Sequence, residues 1–173
     1  HAMGDISDED RQHPPMWRFW RELPPKGKIG VFFGSWYTLP IVQRVLKKCS
    51  AADLDQHIEQ INRFEKMLTD EGALVLKFWF HLSKEAQKVR LQSLEKDPKT
   101  RWRVTKFDWK RFELYDKFRK VSEHTLRETS TAEAPWIVVE GADARYRNLT
   151  MGKTLLDAVC KHLDHSAKPA VRS

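Results

Sequence analysis

Apolar positions in this chain change their period several times, and each change marks an element. Leu54, Ile58, Ile61, Phe64 and Leu68 recur at helical spacing and predict one buried face of an α-helix. Ser50 with Asp53 three residues later forms a capping box ahead of that face, and Gly72 stops it. Residues 73–82 (ALVLKFWFHL) are almost continuously apolar, the pattern of a strand covered on both faces in a parallel sheet. Ser83 then caps a helix that ends before Asp97-Pro98. A single long helix is predicted over 105–129, with Phe107, Leu114, Phe118 and Val121 on one face. Residues 136–140 (WIVVE) read as a strand and 148–163 as the closing helix. Nearer the start, 28–33 (KIGVFF) is rich in β-branched and aromatic residues and predicts a further buried strand. Met16-Trp17-Arg18-Phe19-Trp20 reads as a short helical turn between His13-Pro14-Pro15 and Pro24-Pro25.

Strands separated by helices imply parallel pairing through right-handed crossovers. The expected fold class is therefore α/β, a three-layer parallel sheet with flanking helices. Three strands make a thin sheet, so either further short elements belong to it or an N-terminal strand is missing. The length of 173 residues suits one domain or a large piece of one. That domain is placed over 13–164, preceded by a polar arm or cloning scar over 1–12 that reads as disordered, and followed by a flexible tail over 165–173.

Composition narrows the class. Hydrophobic residues make up 40% and charged residues 32%, which admits a core and excludes a collagen-like or wholly disordered chain. No apolar run reaches the roughly 18 residues of a membrane span, and no secretory signal is visible. Cys49 and Cys160 are too few for a disulfide framework and lack metal-ligand spacing, which suits a reducing cytoplasm and packing roles.

The net charge is +7, and residues 84–120 hold all of the excess, with 13 Lys/Arg against 6 Asp/Glu. Arg103, Lys106, Lys110, Lys117 and Lys120 would form one stripe on the long helix, interrupted by Glu113 and interleaved with Trp102, Trp109, Phe112 and Tyr115. A row of cations suits a linear polyanion, because each phosphate finds a partner and releases counterions. Nucleic acid and inorganic polyphosphate both fit that description, and a solvated helical face is the bland alternative.

Other motifs are weaker. Gly152-Lys153-Thr154 resembles the end of a phosphate-binding loop, but Arg147 stands where the first glycine belongs. Lys26-Gly27-Lys28 precedes a strand, which is the wrong order. His162 and His165 have no third ligand for a metal. Lys77 inside an apolar strand needs a counter-charge or a ligand, and His81 in the same strand reads as a core residue. Trp36 and Trp102 read as packing residues.

Several motifs in order resemble the polyphosphate kinase 2 family. They are Phe64-Glu65-Lys66-Met67-Leu68, Asp70-Glu71-Gly72, Lys77-Phe78-Trp79, Ser83-Lys84-Glu85-Ala86-Gln87 with Arg90, Asp97-Pro98 with Trp102-Arg103, and Ala134-Pro135-Trp136. The resemblance runs from about Pro14 to Leu163. Pro14-Pro15-Met16-Trp17-Arg18-Phe19-Trp20 and Phe33-Gly34-Ser35-Trp36-Tyr37-Thr38 are most similar to the N-terminal, degenerate half of two-domain polyphosphate:AMP phosphotransferases. It implies a P-loop kinase-like fold, similar to thymidylate kinase, in which a basic helical lid (84–129 here) covers a polyphosphate channel. The activity implied is phosphoryl transfer from inorganic polyphosphate to AMP or another nucleotide, with Mg²⁺ in the full-length enzyme and none held by this segment. The phosphate loop would lie upstream of this chain.

Active members carry an Asp-Arg-Ser-Trp-Tyr-Asn-Arg pattern whose Asp helps bind magnesium. Here Phe33 and Gly34 replace the expected Asp and Arg, and Leu39 replaces the second Arg. Phenylalanine cannot ligate a hard cation. The expectation is thus a catalytically degenerate half with no assignable catalytic residue, inactive alone, partnered by a second homologous domain of the same chain and by copies of itself. Candidate phosphate contacts are Lys77, Arg90, Arg101, Arg103, Lys106 and Lys110. Two alternatives stand beside it. One is a competent kinase domain in which Asp70 or Asp143 supplies the lost acid; the other is a basic nucleic-acid-binding module.

Overall fold

Along the chain run α1 (Asp8–Arg11), α2 (Trp17–Trp20), α3 (Thr38–Val45), α4 (Ala51–Asp70), β1 (Lys77–His81), α5 (Lys84–Lys96), a 3₁₀ turn (Arg101–Arg103), α6 (Lys106–Glu113), α7 (Tyr115–Glu128), β2 (Trp136–Glu140) and α8 (Ala144–Ser166). The computed structural model describes residues 1–166, with side chains through Asp164. The predicted tail over 165–173 lies outside the described residues from 167 onward. The chain divides into two units, one of 1–73 with 117–129 and one of 74–116 with 130–173.

In the first unit α4 begins as its capping box dictates. The Asp53 amide donates to Ser50 Oγ at 3.1 Å, and the Ser50 amide donates to Asp53 Oδ2 at 2.7 Å. These bonds hold the Asp53 carboxyl below its ordinary range. The helix buries Leu54, Ile58, Ile61, Phe64 and Glu65. Helix α3, absent from the sequence reading, packs on α4 through Ile41 and Val45. Its Pro40 is tolerated because the first-turn amides of a helix have no internal acceptor. Trp36 meets the edges of Phe19 and Phe64 with ring centroids 5.6 and 5.1 Å apart. The C-terminal part of α7 closes the unit: Asn62 Nδ2 donates to the Glu128 carbonyl at 2.9 Å, and His124 Nε2 lies 2.9 Å from Asp55 Oδ1.

Two expectations fail here. The segment 28–33 is not a buried strand. Among the described residues its strand-like pairing is with the chain start, Phe33 bridging Ala2, and Ile29, Val31 and Phe33 are exposed. Strand propensity was present, but no neighbouring strand among the described residues offers a ladder to it. The opening residues, read as a disordered arm, carry α1 on a capping box between Ser7 and Asp10.

The second unit holds a two-stranded parallel sheet, with Lys77 opposite Trp136 and His81 opposite Glu140. Val139 and Ala134 are buried, and α8 packs on β2. Strand β1 spans five residues of the ten-residue apolar run, matching the five residues of β2 that pair with it. The fold is thus α/β with a small parallel sheet.

The long helix predicted over 105–129 is two helices, α6 and α7, broken at Leu114. No Gly or Pro marks that point. A tertiary contact does: Tyr115 Oη donates to the Leu82 carbonyl at 2.7 Å, and Lys84 pairs with Asp116.

Candidate functional site

All six candidate phosphate contacts fall in the second unit. Helix α5 starts where Ser83 Oγ accepts from the Ala86 amide at 3.1 Å and stops at Asp97, ahead of Pro98. The turn that follows is tightly held. Asp97 Oδ1 accepts from the Lys99 amide at 2.9 Å, and the Asp97 carbonyl accepts from the Arg101 amide at 2.8 Å. Thr100 Oγ1 donates to the Leu94 carbonyl at 2.9 Å. This fastens the 3₁₀ turn carrying Arg101 and Arg103 onto α5, which carries Arg90. Thr105 opens α6 by donating its amide to Asp108 Oδ2 at 2.8 Å, and its hydroxyl donates to the same oxygen at 2.6 Å. Those bonds hold the Asp108 carboxyl below its ordinary range. Lys106 and Lys110 follow on α6, which also packs on α5.

Arg90, Arg101, Arg103, Lys106 and Lys110 are exposed, and none forms an ion pair among the described residues. Cations left facing water without carboxylate partners are available to an external anion. Lys77 stands apart from them. It is 5% exposed in β1, with its ammonium 5.3 Å from the centroid of the Trp136 ring. The single stripe expected from Arg103 to Lys120 does not form. Arg103 precedes α6, and Lys117 and Lys120 belong to α7 and to the first unit. Trp102, expected as packing, is 76% exposed, whereas Trp36 is buried as expected.

The position at which the family pattern calls for a magnesium-binding acid is Phe33, 82% exposed and bridged through its backbone to Ala2. Gly34 beside it has φ +74°, and a Cβ there would lie 3.0 Å from the Met3 carbonyl oxygen. An arginine at 34 would be strained in this backbone. Among the described residues no three His, Cys, Asp or Glu side chains group as a metal site. A phenyl ring and a glycine offer no side-chain oxygen to a magnesium ion at this position.

The two carboxylates considered as substitutes are engaged elsewhere. Lys66 Nζ donates to Asp70 Oδ1 at 2.8 Å, and Asp143 Oδ1 accepts from the Arg145 and Tyr146 amides at 2.7 and 3.0 Å. Gly152-Lys153-Thr154 lies inside α8, where backbone amides serve the helix. Burial, with the Asp53 carboxylate nearby, pushes the Cys49 thiol above its ordinary value, opposite to what a nucleophile needs. His162 lies on α8 with His165, whose side chain is outside the described residues.

A profile described as polyphosphate kinase 2 (PPK2) matches residues 1–167. The chain belongs to the polyphosphate kinase 2 family. It is 55% identical over 153 residues to a protein named polyphosphate:AMP phosphotransferase from Pseudomonas aeruginosa, covering 88% of this chain and 31% of that protein. It is 32% identical over 158 residues to an AMP/ADP-polyphosphate phosphotransferase from Meiothermus ruber, covering 91% and 59%. The crystal structure of Polyphosphate Kinase 2 from Arthrobacter aurescens matches with a TM-score of 0.89 at 31% identity, over 93% of this chain and 57% of that one. The chain therefore spans about a third of the first of these relatives.

In this polyphosphate kinase 2 chain one polar centre escaped sequence reasoning. Glu65 is 1% exposed, and its Oε1 accepts from Trp36 Nε1 at 2.9 Å and from the Tyr37 hydroxyl. Burial, then the Glu65 charge, drives the Tyr37 phenol far above its ordinary value, so it stays protonated and donates. The signal was legible: position 65 follows Ile61 by four and Ile58 by seven, so a carboxylate sits on the buried face of α4. This network ties the residues entering α3 to α4, and gives Trp36 and Tyr37 of the motif a structural role.

Proposed function

We propose that this chain is part of a polyphosphate-dependent nucleotide phosphotransferase, moving a phosphoryl group from inorganic polyphosphate to AMP or another nucleotide. This segment is its catalytically degenerate half, and it binds polyphosphate or supports a second, homologous domain of the same protein. One observation carries the reading: Arg90 on α5, and Arg101, Arg103, Lys106 and Lys110 on the segment fastened to it, face solvent without ion pairs among the described residues.

Phosphoryl transfer needs positioning and charge neutralisation more than covalent chemistry from the protein. These cations supply neutralisation along a chain of phosphates. Phe33 and Gly34 supply neither an oxygen ligand nor a guanidinium, and Asp70 and Asp143 are tied into local structure, which favours a degenerate half over a competent one. Residues 84–129 are the lid on this reading, on a P-loop kinase-like domain. Two parallel strands with Phe80 and Val138 exposed support membership in a larger parallel sheet, since such sheets are buried on both faces. No described helix is long and apolar enough to cross a membrane, and we place the protein in the cytoplasm.

Incubation of the chain with polyphosphate, AMP and Mg²⁺ tests the proposal. The expected result is polyphosphate binding without ADP formation. Steady ADP production by this chain would refute the degenerate-half reading, and absence of polyphosphate binding would refute the lid.

A further inference from the structure

The polyphosphate reading leaves the aromatic side chains of the basic segment without a task, because polyphosphate has no bases to stack. Trp102 is 76% exposed and Phe107 is 57% exposed. Large aromatic rings usually bury most of their surface, so two held in water within six residues need an explanation. Neither is loosely placed. The Trp102 indole nitrogen donates to the Lys99 carbonyl at 3.0 Å, and the turn beneath it is bonded to Asp97 and Leu94. The Arg103 guanidinium lies 6.0 Å from the Trp102 ring centroid, and the Arg111 guanidinium lies 4.4 Å from that of Phe107. Each ring is thus positioned beside a cation.

We propose that residues 99–111 form a binding surface for single-stranded nucleic acid, with Trp102 and Phe107 as stacking platforms for bases and the surrounding cations as phosphate contacts. Lys99, Arg101, Arg103, Lys106, Lys110 and Arg111 are exposed around the two rings, and the carboxylate of Asp108 is engaged at the start of α6. Alternation of cations and aromatic faces is how single strands are held without sequence preference: phosphates pair with the charges while bases stack. Six exposed cations exceed what one mononucleotide can engage, which favours an extended strand. An acidic protein surface would pair with the cations but carries no run of bases to stack on the two rings. The inference does not rest on the polyphosphate reading, since it would hold if polyphosphate failed to bind.

The test titrates the intact chain with fluorescein-labelled oligothymidylate, an abasic phosphodiester strand of equal length, inorganic polyphosphate and AMP, all at one salt concentration. Oligothymidylate is expected to bind roughly a hundredfold tighter than the abasic strand, about tenfold for each of the two lost base stacks. Trp102→Ala is expected to weaken oligothymidylate about tenfold and to leave polyphosphate within twofold. Because Trp102 is exposed, its removal spares the fold, which circular dichroism checks; Phe107→Ala gives a second reading. Equal affinity for the abasic and base-bearing strands would overturn the proposal. So would an equal loss for both polyanions on Trp102→Ala, or displacement of the oligonucleotide by AMP at matched phosphate concentration.

Discussion

Removing the Tyr37 hydroxyl tests whether the Glu65 centre holds the first unit together. Tyr37 is 4% exposed and Glu65 is 1% exposed, so neither group has water as a substitute partner. A hydrogen bond to a charged acceptor contributes about 1.5–3 kcal/mol. Tyr37→Phe keeps the ring and deletes this bond together with the phenol's hydrogen bond with Thr129, so a loss of about 2 kcal/mol or more is expected. Glu65→Gln keeps an acceptor oxygen but removes the charge, and charge-assisted bonds are roughly twice as strong as neutral ones. With two donors affected, its cost is also about 2 kcal/mol. In the double variant the phenol bond is already gone, so the lost charge costs the phenol nothing further. The coupling between the two sites should then be about 1 kcal/mol, measurable by a double-mutant cycle. Urea unfolding followed by tryptophan fluorescence and circular dichroism provides the numbers. Tyr37→Phe within 0.5 kcal/mol of the parent chain, or strict additivity of the pair, would refute the reasoning.

Three further outcomes are expected. Ile61→Ala empties a position with 0% exposure on the buried face of α4 and should cost about 2–5 kcal/mol, read as a lowered urea midpoint with the slope unchanged. Gly72 has φ +83° with nothing within 4 Å of an added Cβ, so Gly72→Ala should cost about 1 kcal/mol from backbone strain alone, against near-neutrality if the turn rearranges. The Asp53 and Asp108 carboxyls sit below their ordinary values when folded, so their caps stabilise above about pH 4 and lose that contribution as pH falls through the folded values. Asp53→Asn and Asp108→Asn should therefore flatten the acid limb of a stability-against-pH curve, and an unchanged limb would contradict the capping argument.

Local chemistry made much of this molecule legible in the sequence. Ser50 with Asp53 marks the start of α4, Ser83 and Asp97-Pro98 bracket α5, and WIVVE is β2, because capping boxes, prolines and short apolar runs act over a few residues. What failed depended on partners distant in sequence. KIGVFF has strand propensity but only the chain start to pair with. The break at Leu114 comes from Tyr115 reaching the Leu82 carbonyl, which no local rule anticipates. At the candidate site, charge pointed to the segment after α5, whose cations are exposed, yet Lys77 is buried and Trp102 exposed. Exposure is a tertiary property, and residue type alone does not report it.

The central claim is that exposed cations after α5 grip chained phosphates, and salt dependence tests it most directly. Polyphosphate affinity of the chain should fall linearly in a log–log plot against salt concentration. Replacing Arg101, Arg103, Lys106 and Lys110 together by Gln should flatten that slope by about 0.7 per cation removed, near 3 in total, while circular dichroism stays unchanged. An identical slope and affinity in the fourfold variant would contradict the account.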